Sequence, residues 1–177
     1  MIVQDTPLKD CFILQNEVFE DERGYFMESF HARKFEDKIG QSVRFVQDNE
    51  ALSSYGVLRG LHAQKDAAAQ AKLVRVVMGE VLDVVVDMRP DSPSFKQHFS
   101  IKLSAENKKQ LWVPRGFYHG YIVLSEKALF QYKCDNFYQK DKEHGIRYDE
   151  PQFAIDWIIP EKDRVISPKD LAWDYLK

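Results

Sequence analysis

The feature that most constrains this chain is a succession of short apolar or alternating runs, each ended by turn residues. "VLRGLHAQ", "KLVRVVMG" and "EVLDVVVDM" follow one another between residues 57 and 88. "KQHFSIKL", "QLWVPR", "FYHGYIVLS" and "KALFQYKCDNFY" continue the series to residue 138. Such runs are rich in β-branched and aromatic residues, which suit a pleated, half-buried surface. The breaks between them, "SYG", "MG", "RPDSPS" and "EKA", are turn-like. Upstream, "CFILQNEVF" (11–19), "GYFMESF" (24–30) and "SVRFVQDNEAL" (42–52) read as further strands, with "EDERG" as the turn between the first two. Many short strands at regular spacing argue against a βαβ fold. They predict an all-β sandwich or barrel, best met by a double-sheet jelly roll. Helices are expected only at the periphery. "HARKFEDKIG" (31–40) should end at Gly40, "SAENKK" (104–109) fits a capped helical turn, and "SPKDLAWDYLK" opens with a helix-start signal.

A chain of 177 residues with no repeat and no Gly/Ser linker reads as a single domain, 1–177. Its net charge of −3 argues against a nucleic-acid partner and leaves room for a local basic pocket. No apolar run approaches the ~20 residues needed to span a bilayer, so no membrane partner is expected. The N-terminus has no basic region followed by an apolar run. Two cysteines, Cys11 and Cys134, make no disulfide framework, and a cytoplasmic location is the simpler reading.

The strands of 57–88 carry Arg59, His62, Lys72 and Arg75 at their edges. Burying such groups destabilises a fold unless something negative sits among them. Residues two apart in a strand share a face, so Gly60, His62 and Gln64 should point one way, with space above Gly60 for a ligand. Phe130, Tyr132 and Cys134 should likewise share one face. "PRGFYHG" (114–120) has the pattern Pro-x-Gly-x-x-His and resembles the second signature of the cupin superfamily, which are jelly-roll barrels. In metal-binding cupins this His joins an upstream His-x-His and a carboxylate. Here Gln64 stands where the second imidazole would be, and an amide is a poor transition-metal ligand, so no metal is expected.

"FEDERGYFMESF", "FVQDNEALSSYGVLRGLHAQ", "AQAKLVRVVMGEVLDVVVDMR", "SPSF", "LSAENKKQLWVPRGFYHGYIVLSE", "FQYKCDNFY" and "ISPKD" occur in this order. Together they resemble the dTDP-4-dehydrorhamnose 3,5-epimerases of dTDP-L-rhamnose synthesis, over about residues 2–172. The resemblance implies a cupin-type jelly roll and an isomerase that needs no cofactor. The implied substrate is a dTDP-4-keto-6-deoxy sugar, dTDP-4-dehydro-6-deoxy-D-glucose, whose ketone acidifies the hydrogens at C3 and C5. It implies His62 as the base, Asp170 as the carboxylate that orients it, Tyr132 as the proton donor and Lys72 near the C4 oxygen. It implies substrate contacts from Arg59 and His119 to phosphate and sugar and from Arg23 to the nucleotide. Glu28, Gln47, Asn49, Glu143 and Lys169 match further binding positions, with Phe19 and Tyr138 near the base. It also implies a homodimer in which the N-terminal strands, about residues 1–30, are exchanged with the partner.

The chain departs from the family pattern in places. Ala63 follows the base His where an aromatic is common, and "KDAAAQ" (65–70) is plain. Tyr118 replaces the usual alanine, either narrowing the pocket or filling volume left by Ala63. Glu50 stands where a His is common. Close alternatives are a mono-epimerase, which shares the acid and base, and a 3,4-ketoisomerase, which Gln64 and Tyr132 argue against. A metal-dependent oxygenase and a non-catalytic sugar-binding module are the readings from other classes.

Overall fold

The computed structural model describes residues 1–176; Lys177, the end of the expected C-terminal helix and domain, lies outside them. The elements run β1 (Ile2–Asp5), β2 (Phe12–Gln15), β3 (Val18–Asp21), β4 (Gly24–Met27), α1 (Ala32–Ile39), β5 (Gln47–Ser54) and β6 (Val57–Gln64). β7 (Lys72–Met78), β8 (Glu80–Asp87), β9 (His98–Ser104), β10 (Lys109–Val113), β11 (Phe117–Val123) and β12 (Lys127–Cys134) follow. β13 (Glu143–Gly145), β14 (Val165–Ile166) and α2 (Pro168–Leu171) close the described chain. One sheet has the order β1-β2-β10-β7-β12-β5. The other has the order β13-β6-β11-β8-β9, with β14 added in parallel to β6. The two stack as a sandwich and do not close into a barrel, which is the jelly-roll class expected from the strand pattern. β3 and β4 pair only with each other, as a hairpin outside both sheets.

Alternation explains the layers. Val74, Val76, Leu111, Val113 and Phe130 of the first sheet meet Val81, Val85, Leu103, Phe117 and Val123 of the second in one core cluster. The intervening residues of β8, Leu82, Val84 and Val86, face the other way. There they meet Ile146, Tyr148, Phe153, Trp157 and Ile159 of the C-terminal segment. The second sheet is thus covered on both faces, which is why "EVLDVVVD" lacks the apolar–polar alternation of a half-exposed strand. A third cluster, on the outer side of the first sheet, packs Phe35 of α1 against Trp112 and Leu73.

Several local expectations needed revision. The run 11–19 is broken at Asn16 and Glu17 into β2 and β3, and the strand expected from residue 42 begins at Gln47. "SAENKK" forms the expected capped turn: the Ser104 hydroxyl accepts from Asn107 N, the Asn107 amide oxygen accepts from Ser104 N, and Lys108 N donates to Ser104 O, one helical turn that is not continued. α1 ends as expected at Gly40, which is left-handed at φ 73°. α2 begins as expected, with Ser167 as N-cap and Pro168 in the first turn, but runs only four residues.

The pairing of β6 with β11 carries an irregularity that the face argument did not foresee. His119 lies opposite His62 and Tyr121 opposite Arg59, so Gly60 and Leu61 together face Gly120 alone. This bulge shifts the alternation by one and turns Arg59 and His62 toward the same side. Gly60 is left with no free space above it: a Cβ there would sit 2.5 Å from Gly120 Cα, at φ +131°. Gly60→Ala is expected to cost about 3 kcal/mol of unfolding free energy, from backbone strain plus the clash. Gly40→Asn, where a Cβ meets nothing within 4 Å, should stay within about 1 kcal/mol. Denaturant unfolding of both variants measures the contrast.

Candidate active site

A cavity of about 440 Å³ opens between the two sheets. From β6 and β11 it receives Arg59, His62, His119 and Tyr121; from β7 and β12 it receives Lys72 and Tyr132. Ser167, Lys169 and Asp170 of the α2 turn close one side. Seven of the residues singled out in the sequence therefore meet in one cavity: Arg59, His62, Lys72, His119, Tyr132, Lys169 and Asp170.

His62 and Asp170, 108 residues apart in sequence, are joined by a 2.5 Å hydrogen bond from the ring Nε2 to the carboxylate. The His62 side chain is 26% exposed and Asp170 5%, so the imidazole meets the cavity while the carboxylate is sealed behind it. Burial by itself would raise the Asp170 carboxyl. Hydrogen bonds from His62, Ser167 and the Gly60 N–H outweigh burial and hold it below its ordinary value. The engaged Nε2 leaves Nδ1 as the ring nitrogen without a carboxylate partner.

On the opposite sheet Tyr132 is partly buried, and the loss of solvent around its hydroxyl pushes its phenol up to about 12, so it keeps its proton at neutral pH. Lys72 lies 5.6 Å from the centre of the Tyr132 ring. Its burial lowers its pKa, and among the described residues it forms no ion pair. Arg59 donates from Nε to the Ser53 hydroxyl at 3.1 Å and likewise has no carboxylate partner among the described residues. The cavity thus holds cations that the described residues leave unneutralised.

Four more of the expected residues, Gln47, Asn49, Tyr138 and Glu143, bond to one another or to residues of the cavity wall. Glu143 binds the Lys169 ammonium at 2.6 Å and accepts from the Tyr138 hydroxyl at 2.6 Å. Burial raises Glu143, but these two partners reverse the sign and leave it lowered. Gln47 bonds Asn49 through its amide N–H (2.9 Å), and its oxygen accepts from Tyr138 N (3.0 Å). Asn49 sits on β5 opposite Tyr132, and its amide donates to Cys134 Sγ at 3.6 Å. Phe19, Arg23 and Glu28 are not brought to this cavity within one chain. Phe19 is 55% exposed on the hairpin, Arg23 pairs with Asp21, and Glu28 pairs with Lys34.

Gln64, expected to share His62's face, is buried elsewhere, and its oxygen accepts from Gln139 N at 2.9 Å. Tyr118 does not narrow the cavity. It lies with Ala63 in the cluster on the outer face of the second sheet. Among the described residues, no group of three His, Cys, Asp or Glu could hold a metal ion.

Two neighbours of the cavity groups stand outside the sequence expectations. Asp83, fully buried, receives the His119 Nε2 at 2.5 and 2.9 Å. Burial raises its pKa despite the imidazole beside it. Its signal was present: a carboxylate inside "EVLDVVVD", on the inward parity of Val81 and Val85. Tyr121 stacks on Phe130 at 4.2 Å and 13°, and it carries no sequence mark that separates it from packing.

Known proteins match this chain in sequence and in fold. The family model described as dTDP-4-dehydrorhamnose 3,5-epimerase matches residues 5–177. The dTDP-4-dehydrorhamnose 3,5-epimerase of Shigella flexneri is 50% identical over 171 residues, 97% of this chain and 93% of its own. The crystal structure of dTDP-4-dehydrorhamnose 3,5-epimerase from Elizabethkingia anophelis superposes with a TM-score of 0.95 at 53% identity, covering 99% of this chain and 96% of that one. An epimerase from Legionella pneumophila, solved in complex with dTDP-4-keto-L-rhamnose, superposes with a TM-score of 0.94 at 46% identity, covering 98% and 92%.

The lowered Asp170 fixes the sign of one pH effect. The stability it contributes is present above the ordinary aspartate value of about 3.9 and is lost as pH falls through its lower folded value. The difference in melting temperature between wild type and Asp170→Asn should therefore be largest near neutrality and shrink below about pH 4. A difference that grows on acidification would contradict this.

Proposed function

This chain belongs to the dTDP-4-dehydrorhamnose 3,5-epimerase family, and on that premise we propose how its cavity works. The protein is an isomerase. It epimerises dTDP-4-dehydro-6-deoxy-D-glucose at C3 and C5 to dTDP-4-dehydro-L-rhamnose, in dTDP-L-rhamnose biosynthesis.

The C4 ketone makes the neighbouring C–H bonds acidic. His62 removes the proton through Nδ1, the electron pair moves onto the C4 oxygen, and the Lys72 ammonium holds the resulting enolate. Tyr132 returns a proton to the opposite face of the carbon, inverting it. Asp170 keeps the imidazole in one tautomer and stabilises the imidazolium that forms. The observation that carries this reading is the pairing of a carboxylate-bound imidazole on one sheet with a protonated phenol on the other, across one cavity. Arg59, His119 and Lys169 are the groups for the sugar and the diphosphate, since an unpaired guanidinium suits two phosphate oxygens at once. No cofactor enters these steps.

Phe19, Arg23 and Glu28 enter the reading through a second copy. The β3–β4 hairpin pairs with neither sheet and exposes Phe19, Tyr25 and Phe26. We read it as an arm that crosses to the partner of a homodimer and brings those three residues to the partner's nucleotide site. The 177 residues form one catalytic domain in this reading. The protein works in the cytoplasm, a placement supported by two buried, unpaired cysteines.

In deuterated water, NMR of the dTDP-sugar should record exchange at both C3 and C5. His62→Ala should slow it by about 10²–10⁴-fold, and Tyr132→Phe should impair turnover. No exchange at either carbon, from folded protein that binds dTDP, would refute the mechanism. The arm has its own test. His62→Ala and Arg23→Ala subunits, unfolded and refolded together, should recover about a quarter of wild-type sites, because half the dimers would carry one site with both residues intact. No recovery would place Arg23 in its own subunit's site.

A further inference from the structure

Trp173 has no part in the chemistry above, yet its indole lies against the strand that flanks the base. Gly145 of β13 stands directly opposite His62 of β6. A Cβ on Gly145 would meet the Trp173 ring at 2.2 Å, so the indole rests flat on the glycine backbone. Gly145 is not among the glycines with positive φ. It is needed here for close approach and not for an unusual backbone. The Trp173 ring stacks near His144 at 6.5 Å and 18°. It approaches the His62 imidazole edge-on, with centroids 6.3 Å apart. Its Nε1–H is buried and has no acceptor among the described residues, so the ring is held by shape and not by a hydrogen bond.

The tail that carries this ring is fastened along its length. Arg147 N donates to Asp174 O (3.3 Å), and the Arg147 guanidinium donates to Leu171 O (2.8 Å). The Tyr175 hydroxyl donates to Asp149 (3.2 Å), and Leu176 N donates to Glu150 (2.7 Å). Arg147 is itself fixed by two 2.8 Å hydrogen bonds to Asp149. α2, which supplies Asp170, leads directly into this strapped segment. One stretch of chain therefore sets both the carboxylate behind the imidazole and the aromatic wall beside it.

We propose that Trp173 is a positioning residue for His62, with the tail 171–176 acting as a strap that holds the base ring in its working orientation. The proposal rests on the epimerase reading above and adds a residue to it. A hydrogen bond at Nε2 fixes one end of the imidazole but leaves the ring free to tilt about that contact. The indole stands edge-on beside that ring, 6.3 Å between centroids, and limits tilting toward it. Misplacing a reacting group by about 1 Å can cost about 10²-fold in rate, so a partial loss of this wall is expected to cost less.

The test is steady-state epimerisation with Trp173→Ala, Trp173→Phe and Trp173→Leu, alone and in the His62→Ala background. Trp173→Ala should lower kcat about 10-fold with KM changed less than about 2-fold, since Trp173 neighbours the base and does not itself line the cavity. Trp173→Phe, which keeps a flat face, should recover to within about 3-fold of wild type, whereas Trp173→Leu should not. In the His62→Ala background, Trp173→Ala should have no further effect on the residual rate. An equal fall in that background would overturn the proposal. So would a loss confined to KM, or rescue by Leu as complete as by Phe, which would mark simple filling of space. Should Trp173→Ala fail to fold, the contrast between Phe and Leu decides. Wild-type protein with no epimerase activity would instead overturn the reading beneath it.

Discussion

The structure turns on the contact between two glycine backbones. Gly60 on β6 and Gly120 on β11 approach so closely that a Cβ on either would overlap the other strand. This closeness accommodates two residues of β6 opposite one of β11. The resulting shift of alternation is what lets Arg59 and His62, three apart, serve the same cavity. In a regular strand one of the two would point into the cluster of Leu58, Leu82 and Ile122 on the far face. The opposing strand needs no such device. Tyr132 and Lys72 occupy matching inward positions on β12 and β7, continuous with the apolar row of Phe130, Val74 and Val76. The cavity is thus one regular sheet facing one deliberately irregular one.

That asymmetry orders the electrostatics. The regular sheet contributes groups whose ionisation burial shifts: a phenol raised to about 12, which stays protonated, and a lysine lowered from its usual value. The irregular sheet contributes imidazoles, each backed by a carboxylate. The two imidazole–carboxylate pairs face each other in register, yet they are not equivalent. His119 is 8% exposed and spends Nε2 on both oxygens of a fully buried Asp83, while its ring lies beside Phe130. His62 is 26% exposed and spends Nε2 on a single oxygen of Asp170. In the proposed mechanism the latter ring, being the more exposed, is the one that meets the carbon acid. The former is better suited to stay put and present one fixed polar atom to a ligand.

Much of this was legible in the sequence, and the limits are physical. β6 through β12 were bounded closely because their apolar runs end in real turn chemistry at Gly56, Gly79 and the 89–94 loop. That Arg59, His62, Lys72, Tyr132 and Asp170 belong together was legible through motif resemblance, and Tyr132's face through simple alternation. The bulge was not, because a two-for-one register depends on what lies across the strand, and Gly60 alone does not announce Gly120. Asp83 was overlooked as one charge in a strand, although a lone carboxylate in a doubly covered strand nearly always has a partner. The C-terminal layer from Ile146 to Ile159 was invisible for another reason. It has almost no regular secondary structure, so no period marks it, yet it buries one whole face of the second sheet.

That irregular layer also explains why this chain tolerates its departures from the family pattern. Tyr118 and Ala63 lie in the same outer cluster, so a large residue at one position and a small one at the other redistribute volume behind the sheet without entering the cavity. Gln64 follows the same logic: instead of facing a ligand, it holds Gln139 N while Gln47 holds Tyr138 N. The two amides fix neighbouring positions of the segment that carries Tyr138 to Glu143. Ala63, Tyr118 and Gln64 thus all lie away from the cavity, where packing can absorb a change. The face that would meet the ketone keeps an imidazole, a phenol and an ammonium whose positions are set by strand register.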